Sequence, residues 1–221
     1  MIKYFGFALL LTALTIQTVS AHQPEIVGSK TGIEISEPEI SKAYYGQLNG
    51  QAIEYTIKSS KPFNLYVNLL TPASDNNQTL LSAKITDQNN RIISTLDGKA
   101  FVWQPYYEPF GGDNYYKGPE YRTHLSGGEY GIEVTSQNNF GPYVVAVGET
   151  ESFTLDEMIS AIKILPELKL EYFGEPWWRI FTNPFYAGII IVIIIVVIII
   201  YFLIRHKVIH HRVKKFTKPI E

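Results

Sequence analysis

The chain has 221 residues, no cysteine and a formal net charge of −2. Without cysteine there is no disulfide framework, thiolate zinc site or cysteine nucleophile. The small net charge hides an asymmetry: residues 22–183 carry 20 acidic and 12 basic side chains, whereas six basic residues and one acidic residue follow Ile204. An acidic bulk without a basic stripe argues against nucleic acid as a partner.

Residues 1–21 have the pattern of an export signal. Lys3 precedes an apolar run from Tyr4 to Ile16, and Val19, Ser20 and Ala21 supply the small residues that signal peptidase accepts. Cleavage after Ala21 would leave His22 at the mature N-terminus; an uncleaved signal anchor is the alternative.

Residues 22–150 read as strands. Ile53, Tyr55 and Ile57 alternate with polar residues, as do Phe63, Leu65, Val67 and Leu69, then Leu81, Ala83 and Ile85. Tyr130, Ile132 and Val134 continue the pattern, followed by Tyr143, Val145 and Val147. A period of two built from β-branched and aromatic residues marks strands with one buried face. Turn signals such as Asn49-Gly50, Asp97-Gly98, Gly127-Gly128 and Asn138-Asn139 separate the runs. Seven or eight short strands at this spacing predict a mainly β fold, an antiparallel sandwich of the jelly-roll or immunoglobulin-like kind.

The residues 99–121 interrupt this rhythm with an aromatic, glycine-rich passage that includes Trp103, Tyr106, Tyr107, Tyr115 and Tyr116. It is too long for a hairpin turn and is predicted to be a loop. Rings with polar tips suit a protein or glycan partner, by stacking and hydroxyl hydrogen bonds. The same rings would equally serve to cap one end of the sandwich. Asp113-Asn114 within the passage offers oxygen atoms to a cation, without the spaced ligand set that calcium takes.

The run Leu125-Ser-Gly-Gly-Glu-Tyr130-Gly-Ile-Glu-Val134, followed by Gly141-Pro-Tyr143-Val-Val-Ala-Val-Gly148, resembles the closing hairpin of the bacterial pre-peptidase C-terminal domains. Those domains are jelly-roll-like sandwiches appended to secreted enzymes and surface proteins. The resemblance implies a tight turn and two mutually paired strands with Tyr130 and Tyr143 on the inner face. The whole layout is similar to small prokaryotic single-pass surface proteins with an exported sandwich and a C-terminal anchor.

Residues 151–184 change to a helical period. Thr154 and Glu157 form a capping-box pattern, and Leu155, Met158, Ile159, Ile162 and Leu165 follow at helical spacing. Pro166 is predicted to open a second short helix reaching Tyr172. This membrane-proximal stalk should either pack on the sandwich or rest on the membrane surface.

Residues 185–204, FYAGIIIVIIIVVIIIYFLI, contain no charge and no proline. At ~1.5 Å rise per residue such a helix spans roughly 30 Å, the thickness of a bilayer's hydrocarbon core. Trp177, Trp178, Phe181 and Tyr186 lie where an interfacial aromatic belt belongs, and the tail 205–221 is basic. Together they predict a single pass through the plasma membrane, N-terminal domain outside and tail in the cytoplasm. The tail's His206, His210 and His211 lie among cations, so a segment touching anionic lipid accounts for them better than a metal site.

No nucleophile elbow, phosphate loop or zinc-protease signature occurs in the sequence. The expected function is therefore non-catalytic: a membrane-anchored extracytoplasmic binding or accessory module. One alternative is a copper protein. A terminal His22 offers an imidazole and an α-amine to one ion, and His124 would complete three-nitrogen ligation suited to copper(II). That arrangement resembles the histidine-brace sites of periplasmic copper carriers, which are also small sandwiches. Another alternative is a small subunit of a membrane complex, although the apolar helix lacks a small-xxx-small motif for tight helix pairing.

Overall fold

The computed structural model describes residues 22–73, 80–152 and 154–216. The export-signal pattern at 1–21 and the last tail residues, 217–221, lie outside them. Two compact units divide between Trp177 and Trp178.

The first unit is mainly β. Its strands in chain order are β1 (Gln23–Gly28), β2 (Ile33–Ile35), β3 (Lys42–Asn49), β4 (Ile53–Ser59), β5 (Phe63–Pro72) and β6 (Ser82–Asp87). They continue with β7 (Ile92–Asp97), β8 (Gln104–Glu108), β9 (Asp113–Leu125), β10 (Gly128–Thr135) and β11 (Phe140–Val147). One sheet has the order β1-β3-β11-β5-β9-β8 and the other β2-β4-β10-β6-β7. Most pairings are antiparallel; at one edge of each sheet a parallel pair occurs, β1 with β3 and β2 with β4.

The alternation in the sequence becomes the sandwich interior. Tyr55, Ile57, Val67, Leu69, Ile85, Ile132, Tyr143 and Val145 are essentially inaccessible and belong to one apolar cluster between the sheets. Each such burial contributes roughly 1.5–3 kcal/mol against an exposed side chain. The two innermost phenols satisfy each other, Tyr55 and Tyr143 hydroxyls lying 2.9 Å apart. That contact removes the penalty for burying either one alone.

Two sequence expectations are corrected here. Tyr130 and Tyr143 do face the interior, but β10 and β11 do not pair with each other. β10 lies between β4 and β6, and β11 between β3 and β5. The link Ser136–Asn139, with Asn139 at φ 53°, carries the chain from one sheet to the other as an arch. Likewise, much of 99–121 is not loop: β8 and β9 pair from Gln104↔Lys117 to Glu108↔Asp113. Tyr and Trp suit strands as readily as loops, and here strand pairing prevailed.

A bulge in β9 decides which side chains share a face. The β5–β9 register shifts between Asn68 and Leu70, opposite Gly118 and Pro119. Pro119 has no N–H to give the ladder, so it fits an irregularity of this kind. Asn68 Nδ2 donates to the Gly118 and Pro119 carbonyls at 3.1 and 3.2 Å, satisfying backbone that the ladder leaves out. The extra residue inverts side-chain parity. Tyr115 and Lys117 before the bulge, and Glu120 and Arg122 after it, therefore all lie on the sheet face directed away from the core.

That outer face is partly covered by α1 (Leu155–Glu171). Its start is the predicted capping box: Thr154 N–H donates to Glu157 Oε2 at 2.6 Å, and Glu157 N–H to Thr154 Oγ1 at 3.3 Å. Ala161, Leu165, Leu168 and Tyr172 form its buried stripe, and the Tyr172 hydroxyl donates to the Tyr45 carbonyl at 2.9 Å. The predicted break at Pro166 does not occur, since the helix runs through it. A proline in a helix interior costs ~3 kcal/mol or more; buried anchors on both sides of it, Leu165 and Leu168, hold the helix to one course. Cover on both faces explains why every residue from Leu65 to Pro72 is buried, where simple alternation predicts only every second one.

The second unit holds the apolar helix α2 (Pro184–Phe216). Its segment Tyr186–His206 is long and apolar enough to cross a membrane, and from Ile190 to Ile204 no side chain is buried.

Candidate functional site

Where α1 does not cover the outer face, a cavity of about 240 Å³ opens. Tyr66, Asn68 and Leu70 of β5 form its floor, with His22, Ser41 and Glu149 at one side and Tyr106 and Lys117 at the other. An adjoining space of about 20 Å³ shares His22, Leu70 and Tyr106 and leads toward Tyr45, Glu108 and Asp113. It has room for about one water.

The charged rim is paired within itself. Lys117 Nζ is 2.9 Å from Glu120, and Arg122 bonds Glu120 at 2.5 Å and Glu149 at 2.8 Å. The Arg122 guanidinium also lies 4.4 Å from the centre of the Tyr66 ring, and the Tyr66 hydroxyl donates to Glu120 at 3.1 Å. Desolvation works against ionised Glu120, but hydrogen bonds from Lys117, Arg122 and Tyr66 outweigh it and bring the carboxyl down to about 2. Two cations therefore face two anions, and this cluster of four carries no net charge.

His22 and Ser41 form the inner polar pair, His22 Nδ1 lying 2.6 Å from Ser41 Oγ. Burial holds the imidazole below its ordinary pKa; Glu151 and Glu149 oppose that shift, and Lys117 adds to it. A neutral imidazole beside a hydroxyl is the geometry of a base and a nucleophile. The Ser41 backbone N–H does not add to it, being given to the Thr150 carbonyl at 2.9 Å. What the arrangement offers instead is a set of hydrogen-bonding groups: His22 Nε2, Asn68 Oδ1 as an acceptor, and Tyr106 and Lys117 as donors.

Beneath the helix lies a second polar cluster. Lys169 of α1 and Asp113 of β9 form an ion pair at 2% and 4% side-chain exposure. Burial raises the Asp113 carboxyl above its ordinary range while Lys169 pulls it back. Asp113, a cation ligand in the sequence reading, is thus committed to an ammonium. Burial also raises Glu108, against hydrogen bonds from the Gly111 and Phe110 N–H groups at 2.6 and 2.8 Å.

The residues singled out from sequence are dispersed. Trp103 is half-buried against the core, its Nε1–H bonded to the Gly98 carbonyl at 2.9 Å. Its indole lies where a Cβ on Gly118 would stand, 2.5 Å from the ring, so the glycine makes its seat. Tyr115 is buried, with its hydroxyl 2.7 Å from that of Tyr45 and its ring edge-on to Phe173. Tyr116 is half-buried on the opposite side of β9, and Tyr107 is exposed. Tyr106 alone among these aromatics lines the cavity.

The two candidate copper ligands have different surroundings. His22 lines the cavity, whereas exposed His124 is bonded to Asn64 Oδ1 at 2.9 Å and is not among the lining residues. The sequence reading missed Ser41, Tyr66, Asn68, Lys117 and Glu149. One signal was present: Asn64, Tyr66 and Asn68 occupy the alternate positions of β5, large polar groups where a merely solvated face would be more varied.

No protein-family model and no curated protein matches the sequence. Among solved structures, the pre-peptidase C-terminal domain of a collagenase from Bacillus anthracis aligns with 54% of this chain and 94% of its own, at 11% identity and a TM-score of 0.34. A β-glucosidase from Paenibacillus barengoltzii aligns over 61% of this chain and 14% of its own, at 9% identity and a TM-score of 0.26. At these identities and TM-scores the similarities carry no activity or ligand to this chain.

Proposed function

We propose that the chain is a membrane-anchored extracytoplasmic binding module without catalytic activity. The observation that carries the anchoring in this reading is α2: its uncharged stretch from Ile190 to Ile204 has no buried side chain, and lipid is the solvent that suits it. Trp177, Trp178 and Phe181, all exposed just before it, suit the outer interface, and the basic residues after it suit the cytoplasmic side. On this reading the sandwich is a displayed domain of the pre-peptidase C-terminal, jelly-roll-like kind. It takes its ligand on the outer sheet face and not through 99–121 acting as an aromatic loop, because Trp103 and Tyr115 are engaged in packing.

The test is membrane extraction followed by protease treatment of cells with a permeable outer envelope. The full chain should resist alkaline extraction, and external protease should remove the sandwich but spare a tag on the tail. Release by alkali, or a protected sandwich, refutes the proposal.

A further inference from the structure

We infer that the outer-face cavity is a binding site for a small neutral polyhydroxylated ring, a saccharide unit. The inference rests on the binding-module reading and supplies its ligand class.

The first argument is charge. Lys117, Glu120, Arg122 and Glu149 form two cation–anion pairs, with contacts of 2.5–2.9 Å. An ionic ligand would have to break one of these pairs, whereas a neutral one bonds to their free edges. The second argument is the inner lining. Asn68 is 2% exposed; its Nδ2 is taken by the Gly118 and Pro119 carbonyls, leaving Oδ1 as an acceptor. The His22–Ser41 bond occupies Nδ1 and leaves Nε2. Burial holds that imidazole below its ordinary pKa, which favours its use as a polar contact. Lys117 and the Tyr106 hydroxyl add donors across the opening. Alternating donors and acceptors match vicinal hydroxyls, each of which gives one hydrogen bond and accepts others.

The third argument is shape. Leu70 and the Tyr106 ring give the cavity an apolar strip, which suits the C–H face of a sugar. At about 240 Å³ the space is below the ~300–1,000 Å³ of pockets for drug-sized ligands, and so fits one ring and not an extended chain. Asn68 and Lys117 stand on paired strands and are held by contacts of their own, and His22 and Ser41 hold each other, so little ordering of these groups is needed on binding.

The experiment uses the full chain in lipid nanodiscs, since glycosidic detergents would compete. Glucose, galactose and N-acetylglucosamine are titrated by saturation-transfer NMR, with glycine and inorganic phosphate as charged probes. At least one saccharide should saturate with a millimolar constant, and Lys117→Ala and Tyr106→Leu should each weaken it about tenfold or more. Unchanged near-ultraviolet dichroism shows that both variants keep the fold. The inference is overturned if none of the three saccharides saturates, if only a charged probe does, or if affinity survives both substitutions. Because binding is measured on purified protein, its failure is distinguishable from failure of the topology test.

Discussion

Lys169→Met isolates the energetics of the contact that pins α1 to the sheet. The substitution keeps the length of the side chain and removes the ammonium from a site at 2% exposure, leaving the Asp113 carboxylate at 4% without its partner. Removing one member of a buried pair costs about 3–5 kcal/mol, mainly because the remaining charge stays desolvated. At ~2–4 °C per kcal/mol for a domain of this size, Tm should fall by roughly 6–20 °C. Burial already raises the Asp113 carboxyl, and without Lys169 nothing offsets that shift. A folded-state pKa above the unfolded value means that the destabilisation is present at neutral pH and is relieved as pH falls through the folded pKa. The variant's deficit should therefore shrink on acidification from pH 7 toward pH 4. Adding Asp113→Leu removes the orphaned charge and should restore stability to within ~1 kcal/mol of the parent. Urea unfolding of the full chain, followed by tryptophan fluorescence across that pH range, measures all three quantities. A single-variant loss below ~1 kcal/mol, or a double variant no better than Lys169→Met, would refute the reasoning.

Four further outcomes are expected. Gly46→Ala places a Cβ 2.1 Å from the Tyr143 ring in the core and should cost ~1–3 kcal/mol by overpacking, read from the same urea curves. His22 has a folded pKa below its unfolded value, so the unfolded state takes up its proton first and stability is lost as pH falls below about 6.5; His22→Gln should remove that part of the slope, and an unchanged slope would contradict it. A fluorophosphonate probe should leave Ser41 unlabelled, because its own backbone N–H is committed to the Thr150 carbonyl and cannot steady the developing charge; labelling that His22→Gln abolishes would overturn the non-catalytic reading. Val192→Arg with Ile198→Arg should release the chain from the membrane fraction, each arginine costing ~2.5–3.5 kcal/mol of insertion near the helix centre.

Much of the fold was legible in local patterns. Ile53-Glu-Tyr55-Thr-Ile57 can bury only one side as a strand, and it does so at 0–1% exposure for its three apolar residues. Thr154 and Glu157 lie three residues apart, so their reciprocal cap depends on nothing distant. The uncharged run before Arg205 is a helix in the structure, as its composition requires.

Partner choice was not legible, because a period of two states that a strand has a buried face without stating which strand lies beside it. Thus β10 and β11, adjacent in sequence, went to different sheets, and both parallel edge pairings escaped notice. Pro166 was read by its local cost, whereas packing of Leu165 and Leu168 decided the outcome. The candidate site is the extreme case. His22, Ser41, Tyr66, Asn68, Tyr106, Lys117 and Glu149 come from segments spread over some 130 residues. They meet because strand order brings β1, β3, β5, β8 and β9 into one sheet and the bulge at Gly118-Pro119 shifts side-chain parity by one. The amino-acid pattern by itself determined which faces must leave water and which helix is long and apolar enough to span a membrane, since burial and composition act residue by residue. Only the tertiary structure decided which polar groups share the outer face, since that depends on long-range register, where a single extra residue moves every following side chain to the opposite side.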